Sequence, residues 1–118
     1  MHELSICQAL IEQLSQLVEQ HQAKAVAVVS LSIGPLSGVE PNLLAHAFPL
    51  AAAGTKAEKA VLSIEQSAIR VKCRRCQAIS EATANRLLCA VCGHWQTELI
   101  SGDELLLLSV EMEKNEVA

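Results

Sequence analysis

The chain has 118 residues, a length that suits one domain or a small domain carrying an even smaller one. Its net charge of −4 makes it a poor candidate for nucleic-acid binding. Hydrophobic residues make up 51% of the chain but aromatics only 2%, so we expect a core of leucine, isoleucine, valine and alanine.

The cellular location is suggested by two features that the sequence lacks. It has no apolar run of transmembrane length, and its first five residues lack the basic and apolar regions of a signal peptide. We therefore expect a cytoplasmic protein with no membrane role. Thiols stay reduced in the cytoplasm, so paired cysteines there indicate metal ligands before they indicate disulfides.

The first half of the chain predicts two helices around one strand. Residues 4–20 carry apolar side chains at helical spacing, with glutamates and glutamines on the opposite face. The β-branched run 26–33, ended by Gly34-Pro35, predicts a strand. Pro41 fits the first position of a second helix, in which Pro49 predicts a kink or an early end.

The second half predicts two further strands. Residues 61–71 alternate as a strand does, with a phase slip near Gln66 that suggests a bulge. Residues 104–112 predict the last strand, whose four consecutive leucines suit burial on both faces at one end. We predict an α+β fold: a discontinuous α/β domain (1–72 and 99–118) of two helices on a three-stranded sheet, with a zinc-ribbon-like module (73–98) inserted in it.

The inserted module carries a doubled Cys-x-x-Cys motif, Cys73 and Cys76 followed after twelve residues by Cys89 and Cys92. Two residues between cysteines let one turn point both sulfurs at one ion, and two such turns complete a tetrahedron around zinc. Four thiolates leave no open position for water, which favours a structural zinc over a catalytic one. A redox dithiol is the alternative, although redox motifs usually come singly and precede a helix.

The N-terminus carries the second candidate metal site. His2 follows a free amine, and an amine, backbone nitrogens and an imidazole together can form the nitrogen set that suits square-planar Ni(II) or Cu(II). A histidine at this position is more often incidental, so spacing alone carries little weight.

Four motifs resemble the HypA/HybF hydrogenase-maturation nickel metallochaperones, nearly end to end and in the family's order. They are the doubled Cys-x-x-Cys and the runs Met1-His2-Glu3-Leu4-Ser5, Ile33-Gly34-Pro35-Leu36-Ser37-Gly38-Val39-Glu40-Pro41 and Ser101-Gly102-Asp103-Glu104-Leu105.

The resemblance implies a carrier that is not itself an enzyme. It would deliver nickel to the large subunit of a nickel–iron hydrogenase, or in some organisms to urease, and would work with a maturation GTPase. Nickel would be held at Met1 and by the imidazole of His2; Glu3 would share that site and the partner surface, with Glu40 close to it. The zinc would be structural, and a homodimer that includes a domain swap is possible through the edge strand 104–112.

Several residues keep two interpretations. His94 either lies near the zinc or is an exposed histidine at the tip of the module, which we favour. The basic residues around the cysteines (Arg70, Lys72, Arg74, Arg75 and Arg86) either bind an acidic partner or offset the thiolates, which we favour. Cys7 is expected to be a small buried hydrophobe. The runner-up function is a zinc-ribbon module that binds nucleic acid or protein; for a hydrolase we find no nucleophile with a base.

Overall fold

The fold is that of a computed structural model, in which residues 3–115 are described. This part of the chain forms two helices and six strands, and the strands belong to two three-stranded sheets. The elements are α1 (Glu3–Gln20), β1 (Ala23–Ile33), α2 (Pro41–Ala52), β2 (Val61–Gln66), β3 (Ile69–Cys73), β4 (Ile79–Ala82), β5 (Thr97–Ser101) and β6 (Leu105–Lys114). The predicted α+β class is confirmed.

The chain divides into two compact units. The helical unit comprises the described parts of Met1–Leu31, Glu40–Ile64 and Leu107–Ala118. The cysteine unit comprises Ser32–Val39 and Glu65–Leu106. The sequence predicts one domain of residues 1–72 with 99–118 and a second of residues 73–98. These bounds concern which parts fold independently, and contacts do not measure that, so they stay a prediction. No helix within residues 3–115 is long and apolar enough to cross a membrane.

Helices α1 and α2 pack in the same direction, which brings their N-termini together. The Cys7 thiol donates to the carbonyl of Leu44 at 3.6 Å, and the Glu40 N–H donates to Glu3 Oε2 at 3.4 Å. Both contacts join residues 37 positions apart, as two parallel helices in register require. The apolar stripe that was predicted on α1 is buried at Cys7, Leu10, Ile11, Leu14 and Val18, whereas Leu4 at its start is 43% exposed.

Helix α2 begins and ends at residues that the sequence marks. The side chain of Glu40 caps the helix by accepting the N–H of Asn42 at 2.9 Å, and Pro41 follows in the first turn. Pro49 lies inside the helix, which ends three residues later at Ala52. Pro49 has no N–H to donate to the Ala45 carbonyl. Both residues are on the exposed side of the helix, where water can bond that carbonyl instead.

The first sheet has the order β2-β1-β6 and supplies the three strands of the predicted domain. The predicted strand 61–71 is wrong as a single element, because the chain leaves this sheet at Ser67 and Ala68. Its second part, β3, lies in the other sheet. The burial expected for the four leucines of β6 is also wrong: β6 is an edge strand, and Leu106 and Leu108 are each 49% exposed.

The second sheet has the order β4-β3-β5, and both pairs are antiparallel. Residues directly opposite each other in such a sheet share a face, and the faces alternate along a strand. Val71 is therefore on the same face as its partners Ser80 and Leu99, and Cys73 shares that face with Thr97. Arg70 and Lys72 occupy the opposite face, across from Glu81 and Glu98 respectively.

Candidate metal centre

The four cysteines of the doubled motif meet in the cysteine unit. The sulfur atoms of Cys73, Cys76, Cys89 and Cys92 all lie within 4.8 Å of one another. Each close pair joins the two motifs, since Cys73 Sγ is 3.6 Å from Cys92 Sγ and Cys76 Sγ is 3.6 Å from Cys89 Sγ. The structure therefore brings together all four predicted zinc ligands.

The two Cys-x-x-Cys turns have the same local geometry. Cys73 Sγ accepts the N–H groups of Arg75 and Cys76 at 3.3 and 3.4 Å. Cys89 Sγ accepts those of Val91 and Cys92, both at 3.4 Å.

Each turn closes with a backbone bond back to its first cysteine, from Gln77 to Cys73 and from Gly93 to Cys89. The closing residues, Gln77 and Gly93, have φ of +66° and +77° respectively. Glycine adopts this left-handed conformation freely, whereas glutamine adopts it at some cost in backbone strain.

The first cysteine of each pair favours the thiolate. The N–H donors of Cys76 and Arg75 lower the pKa of Cys73, and those of Cys92 and Val91 lower the pKa of Cys89 to about 6. For Cys76, the N–H of Ala78 acts in the same direction, but desolvation and the neighbouring thiols outweigh it and raise the pKa to about 11. Four adjacent thiolates repel one another, so the site as a whole calls for a cation.

The arrangement fits a tetrahedral zinc ion. Zinc–sulfur bonds of about 2.3 Å in tetrahedral geometry imply sulfur–sulfur distances of roughly 3.8 Å. The two close pairs, at 3.6 Å, are near that value, and the remaining separations stay within 4.8 Å. Thiolates are also the ligands that zinc takes in structural sites. The site can therefore hold a zinc ion with little rearrangement.

The contacts around the centre bear on the two interpretations of the basic cluster and of His94. Arg74 lies 3.7 Å from Glu98 in an exposed ion pair, which contributes little to stability. His94 is not among the four converging ligands; its Nε2 is 3.3 Å from Gln96 Oε1 and its ring stands 6.0 Å from that of Trp95.

The N-terminal candidates are described only in part. Met1 and His2 lie outside the described residues. Glu3 begins α1 and its carboxylate accepts the N–H of Glu40, while the carboxylate of Glu40 caps α2. The sequence placed Glu3 and Glu40 close together through the family resemblance alone, and the structure gives the contact a physical cause in the parallel helices.

Two contributors to the centre were not predicted from the sequence. The hydroxyl of Ser80 accepts the N–H of Ala90 at 3.1 Å, and the hydroxyl of Thr97 donates to the carbonyl of Leu87 at 2.8 Å. Isolated serines and threonines carry no distinctive pattern. The strand register reveals that both lie on the sheet face that carries Cys73, and their hydrogen bonds reach the segment of the second cysteine pair.

Together, the α+β fold and the four-cysteine centre define a small metal-binding protein. Comparison with known proteins narrows the class. Residues 1–112 match the family described as "Hydrogenase/urease nickel incorporation, metallochaperone, hypA". The chain belongs to this HypA family of nickel metallochaperones for hydrogenase maturation.

Individual relatives agree with the family match over almost the full chain. The hydrogenase maturation factor HypA of Nitrosospira multiformis is 50% identical over 112 residues, covering 95% of this chain and 97% of that protein. The Aquifex aeolicus factor of the same name is 43% identical, with 96% and 98% covered. The solution structure of the Ni metallochaperone HypA from Helicobacter pylori superposes with a TM-score of 0.69 at 26% identity, covering 98% of this chain and all of that one.

Proposed function

We propose that this chain binds Ni(II) at its N-terminus and delivers it to the large-subunit precursor of a nickel–iron hydrogenase during maturation. The observation that carries the proposal is the family match, which begins at residue 1 and so includes the proposed ligands. The ligands would be nitrogen atoms of Met1 and His2, with Glu3 in the same site and Glu40 as a nearby carboxylate.

The meeting of the two helix N-termini supports this location. Glu3 is the first residue of α1, and its bond to the Glu40 N–H holds the start of the chain beside the cap of α2. Helix N-termini carry partial positive charge, which attracts the carboxylates of both residues, and these carboxylates supply the negative charge that a cation needs there. Each carboxylate has two oxygens, so one can bond the backbone while the other faces a metal.

A terminal site also suits a carrier, which must both hold and release its cargo. Its ligands are local in sequence, so no folded cage has to open when the metal leaves. Protonation of the amine, the imidazole and any ionised amides competes with the metal, so release is coupled to proton uptake.

The four-cysteine centre would hold a structural zinc ion. Its four ligands complete the tetrahedron and leave no position for a substrate. The cysteine unit contains few large buried side chains besides Ile33, Ile69 and Val71, so much of its folding free energy would come from the metal. Replacing Cys73 or Cys92 with serine should therefore lose stoichiometric zinc and disorder the segment around the centre.

The proposed setting of this activity follows the same family. The chain would act in the cytoplasm as a carrier and not as an enzyme, with a maturation GTPase and the hydrogenase precursor as partners, and in some organisms with urease as a client. A homodimer, with or without a domain swap, is compatible with the exposed edge strand β6.

The runner-up function, a zinc-ribbon module for nucleic acid, is not favoured. Such a module needs aromatic or basic residues to stack bases or neutralise phosphates. The described chain exposes one large aromatic, Trp95, and its exposed sheet face pairs Arg70 and Lys72 with glutamates.

The decisive test concerns the N-terminus. Adding Gly-Ser before Met1 turns the amine into a neutral amide but leaves His2, the four cysteines and the fold intact. We expect Ni(II) calorimetry to show much weaker binding for the extended chain and for His2→Ala, while zinc content stays at one per chain. His46→Ala is the matched control, because His46 lies on the exposed face of α2 with its Nδ1 2.7 Å from the Asn42 carbonyl.

The proposed nickel site at the N-terminus would be refuted if the extended chain and His2→Ala both bound Ni(II) with native affinity and gave the same visible absorbance band. The cysteines and His94 would then become the candidate nickel ligands.

A further inference from the structure

The two cysteine pairs of the centre are supported by different kinds of structure. Cys73 is the last residue of β3, the central strand of its sheet, so the first pair leaves directly from a ladder bonded on both sides. The second pair lies between Ala82 and Thr97. There the described chain has turns and one isolated bridge, between Thr83 and Arg86, but no strand or helix.

Two hydroxyl groups attach this second segment to the sheet. Ser80 on β4 accepts the N–H of Ala90, which lies directly after Cys89. Thr97, the first residue of β5, donates to the carbonyl of Leu87, two residues before Cys89. The two bonds thus hold the chain on either side of the buried sulfur of Cys89.

The strand register explains why these two side chains can act together. Ser80 is opposite Val71, and Thr97 is opposite Cys73, so both project from the sheet face that carries the first cysteine. They come from strands on the two sides of β3 and reach the same loop.

We propose that Ser80 and Thr97 are positioning residues of the zinc centre. They hold the second cysteine pair over the sheet in the arrangement that the metal requires, so that the pair need not be ordered by the metal alone. Neither hydroxyl belongs to the set of four sulfur ligands. The proposal rests on the zinc occupancy proposed above and is independent of the nickel site.

The prediction for metal exchange follows from this support. A hydrogen bond whose net contribution to stability is about 1 kcal/mol changes an equilibrium or rate constant roughly fivefold when it is lost. Ser80→Ala and Thr97→Val should each speed the loss of zinc to an excess of a chromogenic chelator about fivefold, and the double variant about 25-fold if the two bonds are independent. Ser80→Thr and Thr97→Ser keep the hydroxyl and should exchange zinc at the native rate.

The chain offers a matched control in Ser101. Its hydroxyl donates to the Ala68 carbonyl at 2.9 Å, an equally exposed bond in the same unit, but Ser101 is opposite Arg70, at the other end of β5 from Thr97 and the cysteines. Ser101→Ala should leave the exchange rate within about twofold of native.

Two further measurements separate positioning from loss of a ligand or of the fold. The cobalt-substituted variants should keep the absorbance spectrum of tetrahedral four-thiolate coordination, because all four ligands remain. Amide hydrogen exchange should rise around residues 87–93 and stay native around 73–77. The proposal is overturned if neither variant exchanges zinc faster, if Ser101→Ala exchanges as fast as they do, or if the native chain holds no zinc. Only the last result would also refute the proposed zinc.

Discussion

Gly34, at the end of β1, should tolerate no larger residue, and the reason is a close approach of two backbones. A Cβ at this position would overlap the carbonyl of Gly102 and lie 2.8 Å from the Asp103 nitrogen. All of these are backbone atoms, so no side-chain rotation can relieve the clash. In Gly34→Ala the two segments would have to separate by roughly 1 Å to restore ordinary contacts.

The cost can be worked out from the bonds that this separation breaks. Gly34 N–H donates to the Glu104 carbonyl at 2.8 Å, and Leu36 N–H donates to the Gly102 carbonyl at 2.7 Å. An added 1 Å puts both beyond hydrogen-bond range, at about 1 kcal/mol each. Residual strain of about 1–3 kcal/mol brings the total to about 3–5 kcal/mol, a large part of a typical free energy of unfolding.

Guanidinium unfolding of the zinc-loaded protein, followed by circular dichroism, measures this loss as a shift in midpoint. Gly38→Ala is the control: Gly38 has φ of +80° but nothing within 4 Å of an added Cβ, so only about 1 kcal/mol of backbone strain is expected. A destabilisation of Gly34→Ala no larger than that of Gly38→Ala would show that the close approach is not a constraint.

Three further predictions follow from other contacts. Hydrogen bonds from the Ser67 hydroxyl and from backbone N–H groups lower the pKa of Glu104. The stability that these bonds contribute to the fold is therefore present at neutral pH and is lost as the pH falls through that lowered pKa. In Glu104→Gln the unfolding midpoint should consequently fall less steeply as the pH is lowered. Cys7 is buried and burial raises its pKa, so its peptide should stay unalkylated by iodoacetamide in the native protein, as mass spectrometry would detect. Leu44→Ala should cost about 2–5 kcal/mol in denaturant unfolding, whereas Leu50→Ala, at a side chain 74% exposed, should cost under about 0.5 kcal/mol; similar losses would contradict the assigned packing.

The features that the sequence predicted well are those encoded by local patterns. The stripe on α1 follows from helical spacing, and the four-cysteine centre follows from two turns that each need only neighbouring residues. Family resemblance predicted that Glu3 lies close to Glu40, although neither composition nor periodicity carries that contact.

The division of the predicted strand 61–71 could not be seen locally, because strand-forming residues continue on both sides of Gln66. Tertiary contacts decide it: the Ser67 N–H bonds the Ile33 carbonyl, and the Ser67 hydroxyl bonds Glu104. The phase slip was a real signal, but it marks a change of sheet and not a bulge.

The burial of the leucines of β6 could not be predicted from the sequence either. Four in a row suggest burial on both faces, but burial depends on what packs against the strand. Leu107 faces α1 beside Gln13 and Leu17, whereas Leu106 and Leu108 alternate to the other side. Nothing in the run itself tells the two sides apart.

The strand order has a consequence for the sequence of events during protein synthesis. β6 is made last, yet it pairs with β1, so the first sheet is completed only after the whole cysteine unit has left the ribosome. Closing a disordered loop of the roughly forty residues between β2 and β6 costs about 3 kcal/mol in chain entropy. When the cysteine unit is folded, Ser101 bonds Ala68 and the ends of that loop already meet. A newly synthesised chain whose four-cysteine centre takes up a metal ion early should therefore form its last strand sooner than one whose centre is still without a metal.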